Sequence, residues 1–301
     1  MAITFDTSAT NHAIEIEEFV DHCERYVDVD DADSIMAIAP MLKALSNNKS
    51  LLINHVNDYF KSPGDLEEVN TYSAQSLILA VRKKFFIRTN AWIKPGSYAG
   101  DDAWESKLYA YDYAHNHNFN LLTAGYFGSG YYTDLYDFDE QGVVGYAGEP
   151  VRFEFLERVR LDRGKVLFYR KIKDIHIQLP PDDFSVSLNF MPIDSKLGLT
   201  EQFAFDIDRK TISTLVGSQV AQQVDLLKLA GCIGDSNTLD MVLHLAVRHP
   251  NQSTRLSALH AASNLSPADA ESFWSRGLAD KSEMVRNSSK LVLTAQGPMI
   301  R

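Results

Sequence analysis

The chain has 301 residues, 45% apolar and 23% charged, with a formal charge of −11 and a pI near 5.3. This is an ordinary globular balance, long enough for one large domain or two to three smaller ones, and it excludes a disordered chain. The acidic balance argues against a nucleic-acid partner or an anionic membrane surface, and no apolar run approaches the ~20 residues that a spanning helix needs. Two cysteines, Cys23 and Cys232, give no disulfide framework and fit a reducing compartment. The first residues lack a basic region followed by an apolar core, so no secretory signal is expected and the chain reads as cytoplasmic.

Residues 10 to about 80 read as helical. Asn11 is a candidate cap for a stripe of Ile14, Ile16, Phe19, Val20, Cys23 and Tyr26. Asp33 or Ser34 opens a second stripe through Leu45. Leu51 to Phe60 makes a third, stopped by Ser62-Pro63-Gly64, and a fourth is expected from Leu66 to Val81. His22 and His55 read as surface or packing residues.

From Lys84 the pattern changes to β-branched and aromatic runs separated by turn residues. Strands are expected at 85–93, 107–113, 117–124, 131–138, 151–160, 165–170, 174–179, 183–190 and 201–207. So many short strands without intervening helix imply a closed barrel or a double-sheet jelly roll. After Lys210 the strand signal stops, and helices are expected near 216–233, 236–248, 252–264, 267–278 and 282–295. Two of their openings, around Arg255 and Arg286, are alike and 31 residues apart. The expected organisation is α+β and multidomain: an N-terminal helical region over 1–83, a β-barrel over 84–210 and a helical domain over 211–301.

Nine histidines are present, and only three lie between Ser62 and Leu243: His115, His117 and His176. In an extended strand residues i and i+2 project from one face, so His115 and His117 set two imidazoles side by side. A third from a neighbouring strand completes a facial set of nitrogens that leaves open positions on a metal. His244, His249 and His260 read as packing or surface residues of the helical array.

With this ligand spacing the β region resembles the metal-dependent cupins, which carry His-x-His on one strand and a further histidine on a later strand of a small jelly-roll barrel. Gly125 and Gly128 follow at the usual distance, while Leu121 and Leu122 stand where most cupins carry a glutamate ligand. That departure is similar to the three-histidine iron subgroup, whose familiar members are thiol dioxygenases. These carry Ser-x-His-x-Tyr after the third ligand; here Ser187 fits, and Asn189 and Met191 replace the histidine and tyrosine. The C-terminal helices resemble HEAT-type pairs.

The resemblance implies a central cupin jelly-roll barrel, Fe(2+) as cofactor with Zn(2+) or another divalent metal as the alternative, and dioxygen-dependent oxidation of a small polar substrate, an amino acid or derivative. Tyr113, Ser187 and Asn189 are the candidates beside the metal. Arg170, Arg88, Tyr126 and Gln178 are the candidates to hold the substrate, an arginine by a two-pronged bond to a carboxylate and Gln178 also as a support for a ligand histidine. Glu105, Glu149 and Glu154 are weaker candidates for a fourth ligand or a base. A cupin-based sensor and a zinc-dependent hydrolase or isomerase are the rival readings. The helical regions are the candidates for homodimer formation or a protein partner.

Overall fold

The computed structural model describes residues 2–61, 73, 75–97 and 100–295. The chain forms two compact units, Met1–Glu140 with Arg152–Ser195, and Gln141–Val151 with Lys196–Arg301. The expected N-terminal segment and most of the expected strands therefore share one unit, and the strand expected at 201–207 falls with the C-terminal helices.

In the first unit a six-stranded antiparallel sheet has the order β1 (Ile3–Phe5), β7 (Val166–Tyr169), β4 (Leu121–Phe127), β9 (Ser185–Pro192), β3 (Phe85–Trp92), β2 (Ser76–Val81). A three-stranded sheet has the order β6 (Arg152–Arg160), β5 (Tyr132–Asp139), β8 (Asp174–Gln178). Ladders run within each sheet, and among the described residues none joins the two into a closed barrel.

Period-two alternation gives the large sheet two different faces. Phe85, Ile87, Leu122, Ala124, Phe168, Leu188 and Phe190 pack on Phe19, Cys23, Ile35, Leu42 and Leu45 from the helices α1 (Ile16–Tyr26), α2 (Ala32–Ala37) and α3 (Ala39–Ser46). Phe190 takes the edge of Phe19 at 6.2 Å and lies 5.1 Å from Phe85. Each such side chain contributes roughly 1.5–3 kcal/mol by leaving water. On the other face Trp92, Leu121, Leu167, Tyr169 and Met191 meet Tyr131, Leu135 and Val159 of the small sheet and its flank. That face also carries a polar row, because the register sets Arg88 opposite Asn189 and Asn189 opposite Thr123 across β3, β9 and β4.

Three expectations are corrected. The fourth helix is not formed over its described part: Ser76–Val81 is strand β2, paired with β3. Six apolar residues of this kind suit either state, and the sheet edge decides. Residues 62–72, with the Ser62-Pro63-Gly64 stop, lie outside the described residues. The strand expected at 107–113 is replaced by α5 (Asp102–Leu108), opened by the Asp101 carboxylate accepting from the Trp104 amide, and then a turn with Ala110 and Asp112 at positive φ. The strand signal does not stop at Lys210, since β11 (Thr211–Leu215) pairs with β10 (Phe203–Asp206).

The second unit carries this hairpin and the helices α6 (Gln219–Ile233), α7 (Ser236–Arg248), α8 (Gln252–Leu265), α9 (Ala270–Gly277) and α10 (Glu283–Ala295). Four start signals are visible: Ser218, Asp235 and Asn251 accept from the third amide after them, and Pro267 opens a short turn before α9. Arg255 is buried, donates to both oxygens of Asp280 at 2.8 Å, and donates to the carbonyls of His249 and Pro250. Arg286 donates likewise to the carbonyls of Asp280 and Lys281, the same six and five residues upstream. The sequence repeat is thus a repeat of loop-tying geometry. No helix among the described residues is long and apolar enough to cross a membrane.

Candidate metal centre

The path from Tyr113 to Asn120 forms no regular strand: His115 makes an isolated bridge, the chain bends at Asn118 and Phe119, and the strand expected from residue 117 begins at Leu121. It is fixed by a reciprocal pair of backbone bonds, His115 N–H to the His176 carbonyl at 3.2 Å and the reverse at 2.9 Å. Downstream, the Ile172 amide donates to the His117 carbonyl, the Asn116 side chain donates to the Ile172 carbonyl, and the Lys171 amide donates to Asn120. The turn that closes this clasp has Ile172 at φ 66°, a region that β-branched residues avoid.

The clasp brings the three imidazoles together. One nitrogen from each of His115, His117 and His176 lies within 4.8 Å of the others. Nε2 of His117 and Nε2 of His176 are 3.0 Å apart. Two nitrogens each about 2.1 Å from one ion have this separation when they subtend a right angle; in the metal-free protein one of them carries the proton and donates to the other. His115 Nδ1 donates to the Tyr113 carbonyl at 2.9 Å, which leaves its Nε2 lone pair for the group. The Gln178 amide lies 2.6 Å from Nδ1 of His176. With its oxygen facing the ring it accepts the Nδ1 proton and frees Nε2, and the reversed amide fills the same space.

Burial holds the His115 imidazole below the usual 6.5, against the Tyr113 carbonyl. It holds His117 well below, aided by the charges of His115 and Arg88, and His176 well below, aided by His115 and His117. Three neutral imidazoles in a buried cluster are a donor set for a divalent cation, and the residues present fit such an ion. His117 is the most open of the three; its ring stacks on Phe119 at 4.6 Å and its buried Nδ1 has no hydrogen-bond partner.

The other sequence candidates divide. Tyr113 stands at the edge of the cluster, 38% exposed, its ring 5.3 Å from that of His115. Ser187 and Asn189 are buried on the inner face of β9, where the Ser187 hydroxyl accepts from the Trp92 indole and the Asn189 oxygen accepts from Thr123. Arg88 shares this interior, and its charge acts on both His117 and Tyr131.

Gln178 contacts Nδ1 of His176, on the side of the ring away from the nitrogen that faces His117. Arg170 is not placed to hold a substrate carboxylate, because its guanidinium already bonds Asp174 and Asp137 and ties the turn ahead of β8. Tyr126 lies on the opposite face of β4, donating to the Asn48 carbonyl beneath the N-terminal helices. Glu105 accepts from the Gly96 amide, Glu149 caps the amides of Val144 and Gly145, and Glu154 is exposed.

Sequence reasoning missed Tyr169, whose buried ring lies 4.9 Å from that of His176, and Thr133 beside it. The phase of β7 could have shown Tyr169 pointing inward, had its register with Leu121 been known.

No protein-family model matches the chain, and no curated protein sequence is measurably similar to it. Among solved structures, a hydroquinone 1,2-dioxygenase in complex with Cd2+ and 4-hydroxybenzonitrile aligns with 42% of this chain and 68% of its own, at 11% identity and TM-score 0.27. The hydroquinone 1,2-dioxygenase of Sphingomonas sp. TTNP3 with 4-hydroxybenzoate bound aligns with 42% and 70%, at 8% and 0.27. A prolyl 4-hydroxylase of Phytophthora capsici aligns with 98% and 88%, at 10% and 0.26. Likeness this slight carries neither fold nor reaction to this chain.

Proposed function

We propose that the protein is a non-haem metal oxygenase of the cupin kind, holding one divalent ion, Fe(2+) before Zn(2+), through His115, His117 and His176. The observation that carries this reading is the cluster of three imidazoles, held neutral by burial, with one nitrogen of each within 4.8 Å of the others. A ferrous ion in three neutral ligands keeps its full charge and offers sites for substrate and dioxygen together.

The chain's own groups do the rest. Tyr113 O and Gln178 fix two imidazole tautomers. Arg88 presents a permanent cation to the interior, which suits a small polar substrate carrying a carboxylate. The β9 strand offers neither the histidine nor the tyrosine of thiol dioxygenases, and Asn189 is engaged by Thr123. Free cysteine is therefore expected to be a poor substrate, with turnover below about 1 s⁻¹.

The test is metal analysis after anaerobic purification, followed by oxygen uptake with a panel of small carboxylates. Iron at one per chain with substrate-dependent uptake supports the reading. Zinc at one per chain with no uptake would turn it toward a hydrolase or isomerase. Absence of any stoichiometric metal would remove it.

A further inference from the structure

We propose that a cavity in the second unit, between α7 and α9, binds a small amphipathic carboxylate, an apolar chain or ring that ends in one anionic group. The site is built by the second unit alone and does not rest on the metal reading above. Both α7 and α9 pack on α8 and leave between them a cavity of about 460 Å³, within the size that small-molecule ligands occupy. Leu243 and Val247 of α7, Leu259 of α8 and Phe273 of α9 give it apolar walls.

The polar part of the lining is cationic, in a chain whose formal charge is −11. Arg276 and Lys281 are exposed there and form no ion pair among the described residues. The one carboxylate in the described lining, Asp280, is already held by Arg255 and by the Ser282 amide. Arg255 is itself buried, and its bonds to Asp280 and to the His249 and Pro250 carbonyls use four of the five guanidinium N–H groups. The fifth, on Nη2, has no partner among the described residues and stays on a side chain that lines the cavity. Apolar walls draw a chain or ring out of water, while two cations free of ion pairs and a spare arginine N–H receive an oxygen anion at its end. A neutral apolar molecule leaves those charges without a counterpart, and an inorganic anion leaves the walls wet.

The test is isothermal titration of the full chain with octanoate and with octanol, its uncharged counterpart. Octanoate should saturate at one per chain and bind roughly 5- to 20-fold more tightly than octanol. Arg276→Gln and Lys281→Gln should each weaken octanoate roughly 2- to 5-fold, the reach of an exposed charge, and leave octanol unchanged. Val247→Glu, a change at an exposed position that sets a like charge in the wall, should weaken octanoate roughly 10-fold or more with the fold retained. The two glutamine variants carry the test if Val247→Glu does not fold. Equal affinity for octanoate and octanol would leave only an apolar crevice and overturn the proposal. Octanoate heat that never saturates would overturn it too, as would an octanoate affinity that none of the three variants lowers, which puts the ligand elsewhere.

Discussion

Acidification should destabilise the metal-free first unit before it titrates any ordinary carboxylate. His115, His117 and His176 are all held below 6.5 in the folded protein, each first by burial, and His117 and His176 also by the charge of neighbouring histidines. The unfolded chain therefore binds protons that the folded chain does not. Their contribution to stability is complete above pH 6.5 and is lost as pH falls below it toward the lowered values. Each imidazole contributes a slope of about 1.4 kcal/mol per pH unit in that window. Between pH 7.5 and 5.5 the loss is thus about 1.4 kcal/mol if one imidazole counts and about 4 kcal/mol if all three do. Against a typical stability of about 5–15 kcal/mol this is readily measured. The assay is urea unfolding of the metal-free protein at pH 7.5, 6.5 and 5.5, followed by tryptophan fluorescence with one transition fitted per unit. A triple variant, His115→Gln with His117→Gln and His176→Gln, should show no such slope, and saturating Zn(2+) should restore the unaltered protein at pH 5.5. A change below about 0.5 kcal/mol in the unaltered protein, or an equal loss in the triple variant, would refute the reasoning.

Replacing His115, His117 or His176 singly by alanine should abolish stoichiometric metal while near-UV dichroism is retained; full occupancy in any one would remove that residue from the centre. Gln178→Leu should weaken metal affinity about 10–100-fold without loss of the fold, read by competition with a chelating dye. Arg255→Ala should cost the second unit about 3–5 kcal/mol, because it strands the Asp280 carboxylate and two loop carbonyls; urea unfolding of that transition measures it, and a loss under about 1 kcal/mol would contradict the role assigned. Gly125→Ala should destabilise the first unit by about 1–3 kcal/mol, since its new methyl would stand 2.2 Å from the Asp162 carbonyl oxygen.

Local chemistry made part of this protein legible in its sequence. The i, i+2 pair His115 and His117, isolated with His176 in a β-rich stretch, pointed to the three imidazoles that the fold gathers. The C-terminal helices could be placed from the turn residues that punctuate them and from the Arg255/Arg286 repeat, which act within a few residues. Most strands were legible too, because Gly, Pro and Asp mark their ends.

What a side chain faces was decided by tertiary structure. A strand buried on both sides shows which residues share a face and not what that face meets. Thus Tyr126 went to the N-terminal helices and Tyr169 to the histidines, though both are tyrosines on neighbouring strands. Arg170 was a plausible carboxylate hook until the turn set Asp174 and Asp137 against it, while Arg88 was carried inward by its register with Asn189. Residues 76–81 suit helix or strand equally, and the ladder offered by β3 settled them.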